Sequence, residues 1–252
     1  MKLESLFYGR LDELCSKAAC GIPSCTDFLS PENLAAAEKH LCGVDGISKT
    51  RLGGYPDAER SMLLLCPDYI PIDALAIDEF IAAVEIKTSG YVSLRHSSFL
   101  GALTSLGIDR DSIGDILLHE GGGTVFVTPP IAGFLVSAEN PLERVGRDAV
   151  KVCAADISKY SDHRRSYAEG SITVASARID AIAAELAHIS REKAKELIAR
   201  GDVSLNHVSE LDPSDAVKVG DIVSVRRVGK YKLCEQTETK KGRVRISLLI
   251  YT

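Results

Sequence analysis

Apolar positions along the chain change period several times, and each change marks a predicted element. Leu3, Leu6, Phe7, Leu11 and Leu14 recur at helical spacing, and Gly21-Ile22-Pro23 closes that helix. Ser30 then reads as an N-cap with Pro31 in the first turn, opening a second helix that runs to about Leu41, with Gly43 behind it. Residues 47–52 and 62–66 read as strands around the tight turn Gly53-Gly54-Tyr55-Pro56, and Asp57, Glu59 and Arg60 read as a solvated face. Further on come a strand (80–87), a helix (99–106), two strands (113–118 and 124–128), a helix (129–138) and a strand (149–154). That order is βαββαβ, the ferredoxin-like plait that sheet-type RNA readers also use. Such readers stack bases on aromatics of the central strands, where this chain offers only Phe126, so Phe126 is expected in the core. Arg95, His96 and Arg110, in the loops beside the first plait helix, are the candidates for phosphate contact. Residues 158–170 are polar and predict a connector with edge-strand character.

The pattern sharpens from Ser176. Ile179, Ile182, Ala183 and Leu186 give one apolar helix face. Ser190 caps a second helix, in which Ala194, Leu197 and Ile198 point inward and Arg191, Lys193, Lys195 and Arg200 outward. Gly201 ends it at a position that wants positive φ. Val203, Leu205 and Val208 alternate as a strand with Asn206-His207 near its turn, and the turn from Val217 through Lys218 to Asp221 leads into a strand at 222–225. Arg226 and Arg227 follow. The tail adds a basic hairpin with Lys230, Lys232, Lys240, Lys241, Arg243 and Arg245, and Tyr231 as a stacking candidate. Alternation over Arg243-Val244-Arg245-Ile246 sets both arginines on one strand face.

Charge divides the same way. The 252 residues carry a net −5, but Met1 to Ala175 holds 16 Lys+Arg against 24 Asp+Glu, and Ser176 to Thr252 holds 14 against 11. An acidic body with a basic end points to a polyanion met by the C-terminal unit. The seven cysteines form no C-x-x-C pair, and Cys15, Cys20 and Cys25 with His40 and Cys42 lack zinc-ligand spacing, so reduced thiols are expected. Asp162-His163 has no nucleophile context, His119-Glu120 lacks a second His, and the glycines at 121–123 join two strands as a hairpin turn. No catalytic residue, cofactor or metal is expected. The first residues, MKLESLFYGRLDELC, lack the apolar run of a signal peptide, and no segment is long and apolar enough to span a membrane, so a cytoplasmic protein is expected.

Two resemblances add to this reading. The stretches SARIDAIAAELAHISREKAKELIARGDVSLN and VKVGDIVSVR resemble the αL RNA-binding domain named after ribosomal protein S-four. Carried over residue by residue, the resemblance makes Arg178, Ser190, Arg191, Lys193, Ala194, Lys195, Arg200, Gly201, Asn206 and Lys218 RNA-binding candidates, and Arg226 and Lys230 extend that surface. Nearly the whole chain is similar to the YlmH-type proteins of bacteria. GGYPDAERSMLLLCPDY, VSLRHSSFLGALTSLGIDRDSIGDILL, RVGRDAVKV and KKGRVRI carry the likeness. Ser97-Ser98 stands where that family more often has Arg-Asp. The resemblance implies a multi-domain α+β protein: an N-terminal α/β unit (1–73), a plait-like RNA-binding unit (74–157), a linker (158–175) and the terminal RNA module (176–252). It implies a non-enzymatic factor that binds rRNA and tRNA on the large ribosomal subunit beside other quality-control factors, assisting ribosome-associated quality control of stalled chains. The rival readings are an RNA-modifying enzyme such as a pseudouridine synthase, which needs a larger catalytic domain, and a cell-division or stress scaffold with secondary RNA binding.

Overall fold

The computed structural model describes residues 2–89, 94–137, 139, 142–165, 167–209, 211–239 and 242–251. The expectations for Ala138, Lys240 and Lys241 lie outside the described residues. The chain divides into two compact units, Met1–Arg164 and Arg165–Thr252.

The first unit opens with α1 (Lys2–Ala19), β1 (Ser24–Cys25), α2 (Pro31–His40), β2 (Ile47–Leu52) and β3 (Met62–Pro67). The strands form an antiparallel sheet in the order β1-β3-β2. The α2 start follows the sequence: the Ser30 hydroxyl accepts the Asn33 amide at 3.2 Å, and Pro31 occupies the first turn. Leu11, Leu14 and Ala18 of α1 and Leu34 and Ala37 of α2 pack on Leu63 and Leu65. Leu6, expected on the buried stripe, is 69% exposed, because α1 meets its sheet only further along. Every residue of β3 is buried, since Met62 and Leu64 point away from the helices into a second cluster.

The plait supplies the other side of that cluster. It comprises β4 (Ala82–Thr88), α3 (His96–Ser105), β5 (Ile113–His119), β6 (Gly122–Val127), α4 (Pro129–Val136), β7 (Arg144–Val145) and β8 (Asp148–Ala155). All pairings are antiparallel, in the order β5-β6-β4-β8-β7. Val84, Ile86, Val125 and Val127 face the two helices through Phe99, Leu103 and Leu135. On the opposite face Ile81, Ala83 and Phe126 meet Phe28, Leu52, Met62 and Leu64. Phe126 lies between Tyr55, with ring centroids 5.6 Å apart, and Tyr160, at 5.3 Å. The part of this face around Phe126, where sheet-type readers stack bases, is thus closed by the protein's own core, whereas Lys87, His119 and Lys151 at its other end are exposed.

One buried carboxylate fastens this packing. Asp115 on β5 accepts the Tyr55 hydroxyl at 2.7 Å and the backbone N–H groups of Glu59 and Arg60 at 2.7 and 3.1 Å. Arg60 is not the solvated residue that its sequence context suggests. Its guanidinium donates to the carbonyls of Ile113, Phe28 and Arg110 at 3.0, 2.7 and 3.0 Å. These carbonyls lie in or beside irregular backbone, which the guanidinium ties together. Arg110 turns partly inward as well, donating to Ile113 O at 2.7 Å; burial and the neighbouring Arg60 lower its pKa. Gly54 has φ +89, and a Cβ there would come within 2.1 Å of the Phe126 ring, which is why the turn needs glycine.

The second unit runs through β9 (Tyr167–Val174), α5 (Ile179–Leu186), α6 (Arg191–Ala199), β10 (Val203–Leu205), β11 (Ile222–Val225), β12 (Gly229–Glu238) and β13 (Val244–Tyr251). Its antiparallel sheet has the order β10-β11-β12-β13-β9. Ile179, Ile182, Leu186, Ala194 and Ile198 pack on Val203, Val223, Val225, Leu233, Ile246 and Leu248. The stretch 158–175 is therefore not a bare connector: a 3-10 helix occupies Ile157–Tyr160, and β9 pairs along all of β13. Weak alternation hid β9, whose partner lies some seventy residues downstream. β10 stops at Leu205, leaving Val208 exposed, because Asn206 and His207 both take positive φ in a two-residue turn.

Removing the Asp115 carboxylate should loosen the first unit. Asp115→Ala is expected to cost roughly 3 kcal/mol or more, because a buried hydroxyl and two N–H groups lose their acceptor, and Tyr55→Phe about 1 kcal/mol. Urea denaturation of the variants checks the order and the size.

Candidate nucleic-acid interface

The N-termini of α5 and α6 converge on one side chain, Asp180, which is fully buried. Arg178, the N-cap residue of α5, reaches both carboxylate oxygens at 3.3 Å through Nε and Nη2. Arg191, the first residue of α6, donates to Oδ2 at 2.6 Å. Burial raises the Asp180 pKa, but the hydrogen bonds and charges of Arg191 and Arg178 outweigh it and hold the group below 3.8. Both arginine side chains remain almost half exposed, at 42% and 48%. Each guanidinium is fixed on its inner edge and open on its outer edge, where its remaining N–H groups can meet a phosphate.

The rest of α6 separates the candidates into two flanks. At about 100° per residue, Arg191 and Lys195 fall on one side of the helix and Lys193 and Arg200 on the other. The exposed Glu192 and Glu196 lie on the crest between them. Lys195 Nζ stands 3.5 Å from Glu192, an exposed pair of little energetic weight. Ser190 caps the helix by accepting the Lys193 amide at 3.4 Å. Lys193 itself is exposed. At the far end Gly201 has φ +71, as its place after the helix requires. Asp202 there faces Arg200 at 3.7 Å and Arg226 at 3.2 Å, which joins the α6 terminus to the β11–β12 hairpin.

Several sequence candidates do not belong on this surface. Ala194 is fully buried against the sheet, so its side chain cannot touch a ligand. The Asn206 amide is engaged on both sides: its Nδ2 donates to Asp221 at 2.8 Å and its Oδ1 accepts the Ile222 amide at 2.9 Å. Asn206 therefore locks the turn that carries Lys218. The Lys218 backbone N–H donates to Asp221 at 2.7 Å, and its side chain is exposed. Lys230 alternates with Tyr231, which packs into the core, so it sits on the sheet face turned away from the helices, with Nζ 4.9 Å from the Tyr251 ring centroid. Tyr231 itself is partly buried against that core. In the tail, Arg245 is exposed between the core-facing Val244 and Ile246, as alternation requires, and Arg243 donates to Thr173 O at 2.8 Å. Two contributors carry little signal in the sequence. Asp180 resembles an ordinary first-turn acid, and the exposed Arg227 owes its outward placement to a φ of +65 in the β11–β12 turn. Among the described residues, no group of three or more His, Cys, Asp or Glu is placed to hold a metal ion, and no helix is long and apolar enough to cross a membrane.

The Asp180 centre has a measurable signature. Its folded pKa lies below the unfolded value of about 3.9, so its stabilisation is present above that pH and is lost as pH falls through the folded pKa. The second unit should lose stability on acidification below about pH 4, and Asp180→Asn should be less stable at pH 7 but flatter below pH 4. Urea midpoints at pH 7, 5 and 3 test this. Arg191→Ala should cost roughly 1.5–3 kcal/mol, the worth of a hydrogen bond to a charged group, although the side chain is half exposed.

Comparison with known proteins agrees with this architecture. A family model described as "YlmH, N-terminal" matches residues 21–70, one described as "Putative RNA-binding domain in YlmH" matches 78–159, and the S4 domain matches 177–223. The ribosome-associated protein quality control protein P2 of Bacillus subtilis (strain 168) is 30% identical over 224 residues, which span 88% of this chain and 85% of that protein. A solved structure, the cell division protein ylmH from Streptococcus pneumoniae, shares the fold with a TM-score of 0.51 at 21% identity, covering 64% of this chain and 96% of that one. This multi-domain α+β chain, with an S4 domain at its C-terminal end, belongs to the YlmH family.

Proposed function

We propose that this protein is a non-catalytic, cytoplasmic RNA-binding factor that contacts rRNA and tRNA on the large ribosomal subunit and serves ribosome-associated quality control of stalled chains. The observation that carries the reading is the pair of half-exposed guanidinium groups held by Asp180 at two helix N-termini within an S4 domain. A guanidinium whose inner edge is already fixed loses little further freedom when its outer edge meets a phosphate. Lys195 extends that flank, Lys193, Arg200 and Arg226 form the second, and Lys218 lies in the turn beside Arg178. The name of the Bacillus subtilis relative, alike over most of both chains, supports the ribosomal assignment. In the acidic first unit Phe126 is covered by Phe28, Tyr55 and Tyr160, which argues against base stacking there.

Phosphate contacts release counterions, so binding to purified large subunits should fall steeply with salt. Co-sedimentation at two salt concentrations measures it, and folded protein that fails to co-sediment at low salt overturns the ribosome reading. Lys193→Ala combined with Lys195→Ala leaves the packing of the fold untouched. It should weaken binding and reduce the log–log salt slope by about one for each phosphate that is no longer neutralised. The two single variants then report which flank of α6 faces RNA.

A further inference from the structure

Helix α4 has the sequence PPIAGFLV, with no polar side chain. Leu135 is fully buried and Ile131 and Ala132 pack partly against the plait core, but Gly133 and Val136 are exposed, Val136 at 38%. Beside them runs an open groove of about 640 Å³, floored by Ile77, Ile81, Ala132, Gly133, Val136 and Ile157. Among the described residues its lining includes two carboxylates, Asp78 and Asp156, and no cation; Asp156 Oδ1 accepts the Ser158 N–H and hydroxyl, and Lys159 lies near it. The exposed Asp73 and Glu79 lie in the 3-10 turns beside Asp78.

Gly133 is the telling residue. Glycine inside a helix costs about 1 kcal/mol relative to alanine. Packing does not explain the glycine, because among the described residues a Cβ built at Gly133 meets no atom within 4 Å beyond its own helix. What the missing side chain does is keep the groove open. An apolar trough whose openness weakens its own helix, and which is rimmed by acids on a unit of net negative charge, fits a ligand that is apolar on one side and basic on the other.

From this we infer that the α4 groove is a docking site for a basic amphipathic helix of a partner protein. Leucine-type side chains enter between Ile77, Ile81 and Val136, and lysines or arginines pair with the exposed Asp78 and with the Asp156 oxygen not used by Ser158. The same rim disfavours the alternatives. It repels the phosphates of RNA, and it repels the equally acidic groove of a second copy. The inference does not rest on the ribosomal reading, and its test contains no ribosome, so either can fail alone.

The test uses the full chain and a fluorescein-labelled 18-residue helical peptide of leucine and lysine. Two control peptides replace lysine by glutamate or leucine by serine. The leucine–lysine peptide is expected to bind at least tenfold tighter than either control. Gly133→Leu should fill the groove and weaken that binding at least tenfold, with an unchanged or raised Tm. Asp78→Lys with Asp156→Lys should weaken it to a similar extent. Several results would overturn the site: no binding of the leucine–lysine peptide, equal binding of all three peptides, or full binding by a folded Gly133→Leu chain. Displacement of the peptide from the groove by a structured RNA, or self-association that Gly133→Leu abolishes, would reassign the groove to those occupants.

Discussion

A carboxylate taken out of water must be given donors, and this constraint organises both compact units. In the first, Asp115 collects a tyrosine hydroxyl and two backbone N–H groups, which ties the Gly53–Arg60 loop to β5. In the second, Asp180 collects two guanidinium groups and fixes the N-termini of α5 and α6 against each other. The energetic logic is shared, but the donors differ. The donors around Asp115 are a buried tyrosine hydroxyl and two part-buried backbone N–H groups, so that centre fastens a loop to the sheet. Arginines around Asp180 keep one edge in water, so the same contact that holds the fold also aims cationic groups outward.

The closed plait face follows from the first centre. A βαββαβ sheet with helices on one side leaves its other side to be covered or used. Here Phe126 and Ala83 are covered by Phe28, Leu52 and Met62, and Tyr55 and Tyr160 complete the seal. The plait topology alone would have suggested base stacking; the packing takes Phe126 out of that role. The basic balance lies in the second unit, and the acidic first unit keeps an apolar groove lined by carboxylates.

Surface position also matters more than residue type on α6. The cations in or next to this short helix look like one basic face, yet helical periodicity divides them around a crest of glutamates. Asp180 and Asp202 then anchor one flank each. An RNA lying on this helix meets one flank or straddles both, and the two have different rigidity: the first is clamped to a buried charge, the second to the partly exposed Asp202.

The sequence by itself determined the features that neighbours along the chain decide. The Ser30 and Ser190 caps, the positive φ of Gly201, the βαββαβ order, the buried faces of α5 and α6, and the likeness to the YlmH family were all legible, because caps, turns and periodicity act within a few residues. Tertiary structure alone decided which polar residues turn inward. Arg60 serves carbonyls on loops far away in the chain, and Arg110 folds back on the strand that follows it; Asn206 binds Asp221 across a turn; Ala194 disappears under the sheet; and β9 finds its partner near the end of the chain. A side chain's charge shows what it can bind. Whether it faces water or a buried partner depends on segments distant in sequence, and only the packed fold brings them together.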